Sequence, residues 1–375
     1  MNHNFPHSSK LYNITFILNQ FHFHSYYFMS FPKLNYFFLL ALTLQTISLF
    51  GQAQSLERAF PRLDSLLNVK NNKPFNGTII IATDRKIAYE RQHGSSVPGK
   101  KTPFNENNQF VIGSVSKQIT AVLVLRELDK HNLNLKDPIK KYLPELTMSW
   151  ADTVTIHQLL THTHGITTLD KPLAYPAGSK FNYSTIGYQL LGKIVAKTSG
   201  KTFPELSNEL FILCGMKNTF DPNLKKHQKL VNGYVEKEDG KLHLEKSPLE
   251  EFTPAATFIS TARDLVLWNS AVHSGKLLSA ATYKLMITPY ATRQHVFLGK
   301  TDYGYGPTIT NTDNLLQIGQ TGYIPGFVSM DYYFPQTKTS IIMLQNTAWD
   351  LNDLSKTFSY QLQALKILKE TLLHQ

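Results

Sequence analysis

The chain of 375 residues contains a single cysteine, Cys214. One thiol cannot form an internal disulfide, and it also excludes a zinc site built from several cysteines. Within the apolar run FILCGM we expect Cys214 to be a small buried side chain. Gly-x-Ser-x-Gly, the nucleophile motif of the α/β-hydrolase fold, is also missing, so that fold is not expected.

Acidic residues are absent from residues 1–53, which nevertheless hold 13 of the 44 aromatic residues. The part that begins at Met29 is typical of an export signal, with Lys33 followed by an apolar stretch at 36–50. Gly51 and Ala53 precede the expected cleavage site ahead of Gln54. A spanning helix needs about 20 mainly apolar residues, and polar residues interrupt this stretch. We therefore expect a cleaved signal at 29–53 and a periplasmic or extracellular protein, with an uncleaved membrane anchor as the alternative.

Residues 1–28 show neither helical nor strand periodicity. Export signals normally start close to their charged segment. We interpret residues 1–28 as an extension of the gene model upstream of a true start at Met29.

Positive charge remains after the leader is removed: the other 322 residues carry a formal charge of +9. The lysines at 225–246 alternate with acidic residues, which indicates a solvated hairpin or loop rather than a nucleic-acid surface. For an exported protein, a cationic surface suits transient contact with an anionic cell wall or membrane. We expect no nucleic-acid partner and a monomer.

Metal and cofactor sites are not expected. His157, His162 and His164 lie within eight residues, but no acidic residue lies between them, so packing or capping roles are favoured over zinc binding. Gly200-Lys201-Thr202 is similar to the end of a phosphate-binding loop, but the glycine required five residues earlier is Val195.

The chain after residue 54 reads as strands, then helices, then strands and a final helix. Residues 78–82 and 86–90 predict a hairpin, and 326–334 and 339–346 predict a second strand pair. Helices are expected at 114–130, 137–144, 155–161, 186–198, 264–273, 280–286 and 352–373. This order predicts an α/β fold of the α+β type, with a sheet built from both chain ends and an inserted helical region.

The strongest local motif is Gly113-Ser114-Val115-Ser116-Lys117, directly after an apolar strand. A serine at the start of a helix and a lysine three residues later lie on the same face. The N-terminus of the helix also supplies backbone N–H groups and a partial positive charge. Ser114 could therefore attack a carbonyl with Lys117 as proton acceptor. Alone, this spacing is common and more often marks an ordinary helix start.

The context of the motif changes that interpretation, because the sequence resembles the serine β-lactamase and penicillin-binding superfamily. It is most similar to the class C-like serine hydrolases, which include D-alanyl-D-alanine peptidases and esterases. The resemblance runs from about residue 75 to about residue 346, in blocks that follow the order of the family. These blocks are FVIGSVSKQITA, LKDPIKKYLPEL, VTIHQLLTHTHGI, FNYSTIGYQLLGKIV, STARDL, YGYG and GQTGYIPGF.

The resemblance implies an antiparallel sheet domain at 54–130 and 255–375, flanked by helices, and an inserted all-helical domain at 131–254. It makes Ser114 the nucleophile, Lys117 its partner base and Tyr183 a proton relay. It aligns Gln320-Thr321-Gly322 with the third motif, an edge strand that faces the substrate. The N–H of Tyr323 would then join that of Ser114 as an oxyanion hole, and Gly322 would let the substrate backbone approach closely.

Two positions depart from the pattern of the family. Thr185 replaces an Asn that contacts the acyl side chain of the substrate, and Gln320 replaces a Lys or His. Because Gln carries no charge, it cannot attract a substrate carboxylate. We therefore expect a serine hydrolase of esters, amides or short D-amino-acid peptides rather than a true β-lactamase. The alternative is a non-catalytic binder of cell-wall peptide or another ligand.

Overall fold

The computed structural model describes residues 56–224, 229–246 and 249–374. All of them belong to one of the two units of the chain, residues 49–375. The predicted extension at 1–28 and the predicted leader at 29–53 lie outside the described residues. Among the described residues, no helix has both the length and the apolar character needed to span a bilayer.

A sheet of eight antiparallel strands forms the centre of this unit. Its order, β2-β1-β12-β11-β10-β9-β8-β7, pairs a strand from the start of the unit with one from its end. The strands are β1 Gly77–Thr83, β2 Lys86–His93, β3 Phe110–Val111, β4 Gly233–Glu236, β5 Leu242–Glu245, β6 Ile259–Ser260, β7 Ala291–His295, β8 Gly299–Tyr303, β9 Thr308–Thr312, β10 Leu315–Ile324, β11 Phe327–Phe334, β12 Thr339–Gln345 and β13 Thr347–Ala348.

The central strands are buried on both faces. In β1, Ile79 and Ile81 belong to one apolar cluster, whereas Ile80 and Ala82 belong to another. Alternate residues of a strand point to opposite faces, so two cores lie against the two sides of the sheet. β11 and β12 are buried along their whole length, which confirms a sheet covered by helices.

Helices cover both faces of the sheet and fill the inserted region. The α-helices are α1 Phe60–Leu67, α2 Ser116–Asp129, α3 Ile156–Leu160, α4 Thr185–Ser199, α5 Phe203–Cys214, α6 Ala262–His273, α7 Ala280–Met286, α8 Leu354–Thr357 and α9 Ser359–Leu373. α1 and α9 share one core with the sheet, and α2, α4, α5 and α6 contribute to the other. The fold is the α+β arrangement predicted from the sequence.

The helix after Ser114 is more buried than an amphipathic pattern predicts. Every residue of α2 from Ser116 to Leu125 is buried, polar ones included. The helix packs against α4, α5 and α7 and against the turn at 253–257, so it has no broad solvent face. A helix surrounded in this way is typical of a core element and gives its side chains fixed positions.

Several elements differ from the sequence-based expectations. The helix expected at 137–144 is only a 3-10 turn, Ile139–Lys141, and α1 and the strands β7, β8 and β9 were not expected. The range 131–254 also contains the β4–β5 hairpin, whose first strand pairs in parallel with β13. The C-terminal helix is divided at Phe358 into α8 and α9. α5 was not expected, although it carries a complete capping box from Thr202 and Glu205. Its last residue, Cys214, is buried as predicted.

Candidate active site

Ser114 lies in a turn of 3-10 helix, Gly113–Val115, between β3 and α2. Gly113 has a φ of +53°, a conformation that L side chains rarely adopt. A β-carbon at Gly113 would lie 2.7 Å from the Tyr323 nitrogen, so the turn approaches β10 closely. The local sequence therefore fixes Ser114 against the strand that carries the third motif.

Lys117 points back toward Ser114 from the first turn of α2. Its Nζ lies 3.2 Å from Ser114 Oγ and donates at 2.8 Å to the Ala255 carbonyl. The side chain is only 1% exposed, and no acidic group forms an ion pair with it in the described part of the chain. The amine is thus within the distance at which a base can take the proton of Ser114.

Tyr183 joins this pair from the segment that precedes α4. Lys117 Nζ lies 4.8 Å from the centre of its ring. The segment is held by His162, whose carbonyl accepts from Asn182 N–H at 2.8 Å and whose Nδ1 accepts from Ser184 N–H at 3.1 Å. The structure therefore brings Ser114, Lys117 and Tyr183 together.

His162 supports Tyr183 and the segment around it. Its ring lies 4.4 Å from the Tyr183 ring, and its Nε2 lies 3.2 Å from the Tyr303 hydroxyl. Complete burial, with the nearby charge of Lys117, holds the pKa of His162 well below its ordinary value. His157 contacts Tyr305, and His164 accepts from Ile166 N–H, so the three histidines have separate partners.

The third motif lies on β10, which becomes an edge strand at the site. The strand pairs with β9 only as far as Gly319, whereas its pairing with β11 continues to Ile324. A β-carbon at Gly322 would lie 2.4 Å from the Ile112 carbonyl and 2.8 Å from the Ser114 nitrogen. Gly322 is therefore needed for contact with the Ser114 turn. This contact brings the N–H groups of Ser114 and Tyr323 close together.

Gln320 and Thr185 occupy different environments. Gln320 is 1% exposed, and its amide group hydrogen-bonds to Tyr303, Gly306 and Thr308. Thr185 is exposed at the first residue of α4, outside the wall of the Ser114 cavity. The structure thus keeps Gln320 at the site and leaves Thr185 at its periphery.

A cavity of about 150 Å³ contains most of the predicted residues. Its walls are formed by Ser114, Tyr183, Arg293, His295, Val296, Phe297, Gln320, Thr321, Tyr323, Leu354 and Phe358. A second hollow of about 530 Å³ shares Tyr183, Arg293, His295 and Val296 with it and extends to Lys180. The site is therefore a cleft of two connected parts, with Ser114 in the smaller one.

Arg293, on β7, is a cavity residue that the sequence patterns did not indicate. Its guanidinium carbon lies 5.2 Å from the centre of the Tyr183 ring and 5.6 Å from that of Tyr303. Its Nη2 donates to Thr308 Oγ1 at 3.1 Å. The one indication in the sequence was Gln320: because this position lacks the expected cation, another Lys or Arg in the cleft could be expected to supply it.

A protein-family model described as Beta-lactamase matches residues 75–366. The chain belongs to this family. Among its relatives, penicillin-binding protein 4* of Bacillus subtilis (strain 168) is 24% identical over 318 residues, which cover 74% of this chain and 69% of the relative. The teichoic acid D-alanine hydrolase of Staphylococcus aureus (strain MRSA252) is 22% identical over 306 residues, covering 73% of each.

A solved structure with the same fold is that of the D-amino acid amidase from Ochrobactrum anthropi SV3, in complex with D-phenylalanine. It superposes with a TM-score of 0.73 at 19% identity and covers 84% of this chain and 99% of the amidase. At this identity the likeness shows the fold. Together with the family match, it confirms the resemblance to the β-lactamase and penicillin-binding superfamily.

Proposed function

We propose that the protein is an exported serine hydrolase that acts on esters, amides or short D-amino-acid peptides through an acyl-enzyme. The observation that carries this proposal is the 3.2 Å separation of Lys117 Nζ and Ser114 Oγ, next to a cavity that Ser114 and Tyr183 line. A nucleophile beside a base, close to two backbone N–H groups, is the arrangement that acyl transfer requires.

In the proposed reaction, Ser114 Oγ attacks the carbonyl carbon while its proton passes to Lys117. The N–H groups of Ser114 and Tyr323 stabilise the oxyanion that forms. When the oxyanion collapses, the bond to the leaving group breaks and the leaving group takes a proton from Tyr183, which Lys117 reprotonates. Water then attacks the acyl-enzyme by the same route and releases the acid and free Ser114.

An apolar acyl group fits the outer wall of the smaller cavity. Val296 and Phe297 line it from the β7–β8 hairpin, and Leu354 and Phe358 line it from α8 and the following junction. Apolar side chains around a small cavity favour an apolar ligand group. The names of the relatives are compatible with D-alanyl esters and D-amino-acid amides as substrates.

The test is covalent labelling of the purified protein with a fluorophosphonate. We expect labelling of the wild type and none of Ser114→Ala, because Ser114 is the serine whose Oγ lies 3.2 Å from Lys117 Nζ. Ser116→Ala is the matched control: this serine lies two residues away but is fully buried, and its Oγ accepts from Phe258 N–H. If the folded wild type were not labelled, the alternative of a non-catalytic ligand-binding protein would be favoured.

Export is a second part of the proposal, supported by the composition of residues 29–53. A positively charged start, an apolar stretch and small residues at 51 and 53 are the features of a cleavable signal. N-terminal sequencing of the protein recovered outside the cytoplasm is expected to begin at Gln54. Recovery only inside the cytoplasm would contradict export.

A further inference from the structure

Arg293 is the only lysine or arginine among the described residues that line the Ser114 cavity, and no Asp or Glu lines it. Arg293 also forms no ion pair in the part of the chain that the structure describes. A guanidinium that is partly buried without a counter-charge is unfavourable, because desolvation is not offset by attraction. A charge left uncompensated inside a cleft indicates that a ligand supplies the opposite charge.

The guanidinium is surrounded by aromatic rings, which supply no negative charge to balance it. Its central carbon lies within 6 Å of the ring centres of Phe181, Tyr183 and Tyr303. Of its N–H groups, Nη2 donates to Thr308, whereas Nε is buried with no partner. Arginine has five N–H donors in a planar fork that matches a carboxylate.

Arg293 also lies next to the position where the resemblance leads one to expect a cation. Thr308 Oγ1 accepts from Arg293 Nη2 at 3.1 Å and donates to Gln320 Oε1 at 3.2 Å. A single hydroxyl therefore links the guanidinium to the neutral side chain of Gln320. The positive charge that Gln320 lacks is therefore present on Arg293, on a different strand.

We propose that Arg293 binds a carboxylate on the leaving group of the substrate, in place of a cation at position 320. This inference rests on the proposed function, in which Tyr183 protonates the leaving group. The leaving group then lies over Tyr183, whose ring faces two cations: Lys117, which is assigned to Ser114, and Arg293, which lines the cavity. The adjoining hollow also presents Lys180, which makes that side of the cleft suitable for an acid.

The test compares two aryl esters, 3-acetoxybenzoic acid and methyl 3-acetoxybenzoate, whose leaving groups carry a free carboxylate and a neutral methyl ester in its place. For the wild type we expect a higher kcat/KM with the acid. Arg293→Gln should lower kcat/KM for the acid by roughly 10- to 100-fold, as expected for loss of a hydrogen bond to a charged group, and change the methyl ester by less than about 3-fold.

A double variant that moves the cation from position 293 to position 320 makes the test sharper. Arg293→Gln combined with Gln320→Lys returns a cation to the site and should restore part of the preference for the acid. Arg263→Gln is the matched control, because this exposed arginine pairs with Glu90 and Glu106 outside the cavity. Melting temperatures of all variants show whether they remain folded.

The outcomes separate this inference from the proposed function. Equal kcat/KM for the two esters in the wild type, or an equal loss for both esters in Arg293→Gln, would overturn carboxylate binding while leaving the serine chemistry intact. Fluorophosphonate labelling without turnover of either ester would overturn it too. Neither labelling nor turnover by the folded wild type would overturn both proposals.

Discussion

The two walls of the Ser114 cavity are built in different ways. One wall consists of the Ser114 turn, α2 and β10, and it is buried and fixed by backbone contacts at Gly113 and Gly322. The other is the hairpin of β7 and β8 at the end of the sheet, whose tip residue Val296 is 70% exposed. The buried wall holds Ser114, Lys117 and the two N–H groups proposed for the oxyanion, and the peripheral wall holds Arg293, Val296 and Phe297. Substitutions in the buried wall are therefore expected to change the reaction, and substitutions in the peripheral wall are expected to change the choice of substrate.

The largest effect is expected from Gly322→Ala in the buried wall. The new β-carbon would meet the Ile112 carbonyl at 2.4 Å and the Ser114 nitrogen at 2.8 Å, so β10 must move away from the Ser114 turn. Displacing one oxyanion donor lowers kcat by about 10²- to 10³-fold. Steady-state kinetics with methyl 3-acetoxybenzoate would measure this loss.

Gly240→Ala is the control for Gly322→Ala. Gly240 lies in the β4–β5 hairpin at a φ of +69°, and an added β-carbon would meet no atom within 4 Å. It should reduce stability slightly through backbone strain and leave kcat unchanged. A Gly322→Ala enzyme with full kcat would show that the contact between β10 and the Ser114 turn does not organise the site.

An intermediate effect, on stability, is expected from Asp331→Asn behind the buried wall. Asp331 lies opposite Gln320 on β11; its Oδ1 accepts from Asn269 at 2.6 Å, and its Oδ2 has no partner. Burial raises the pKa of Asp331 from 3.8 to about 7. Between pH 3.8 and pH 7 the folded state therefore keeps a proton that the unfolded state releases. The contribution of this proton to the free energy of unfolding is complete below pH 3.8 and is lost as the pH rises through 7.

A rise in the pKa of Asp331 from 3.8 to about 7 corresponds to a change of about 4 kcal/mol at most in the free energy of unfolding. Asp331→Asn keeps an acceptor for Asn269 and cannot ionise, so it should gain stability relative to the wild type between pH 5 and pH 8. Urea unfolding of both proteins at the two pH values measures this gain. A stability difference that did not change with pH would mean that Asp331 does not retain its proton in the fold.

The smallest effect is expected from Val296→Ser at the tip of the peripheral wall. Val296 lines both parts of the cleft but is mostly exposed, so its replacement should change the free energy of unfolding by less than about 0.5 kcal/mol. The KM for esters with longer acyl chains should rise by about 2- to 5-fold, with kcat unchanged.

Leu244→Ser is the matched control, because Leu244 is 53% exposed on the β4–β5 hairpin, away from the cavity. It should leave KM unaltered. A loss of kcat in Val296→Ser as large as that in Gly322→Ala would remove the distinction between the two walls.

The two walls also differ in how much of them could be predicted from the sequence. Ser114 and Lys117 lie on one helical turn, so their contact follows from spacing alone. Both strand pairs and the helix that ends at Gly200 also follow from local patterns, and Gly200 adopts the left-handed conformation expected of a cap. The contact of Tyr183 with Lys117 joins residues far apart in the chain, and only the family resemblance indicated it.

Arg293 shows why the rest could not be predicted. Its strand has no local motif, and its position beside Tyr183 depends on the order of strands at the far end of the sheet. The contact of Gly322 with the Ser114 turn was also not indicated by the sequence, because it joins residues about 200 positions apart in the chain. Long-range packing of this kind has no counterpart in spacing or periodicity.

The most direct test of Ser114 as the nucleophile is to identify the residue of the wild-type protein to which a fluorophosphonate attaches. Tryptic digestion and mass spectrometry can assign the adduct within peptide 102–117, which contains both Ser114 and Ser116. We predict an adduct on Ser114 alone, retained in Ser116→Ala and absent from Ser114→Ala. An adduct on another residue, or none on the folded protein, would contradict the assignment of Ser114 as nucleophile.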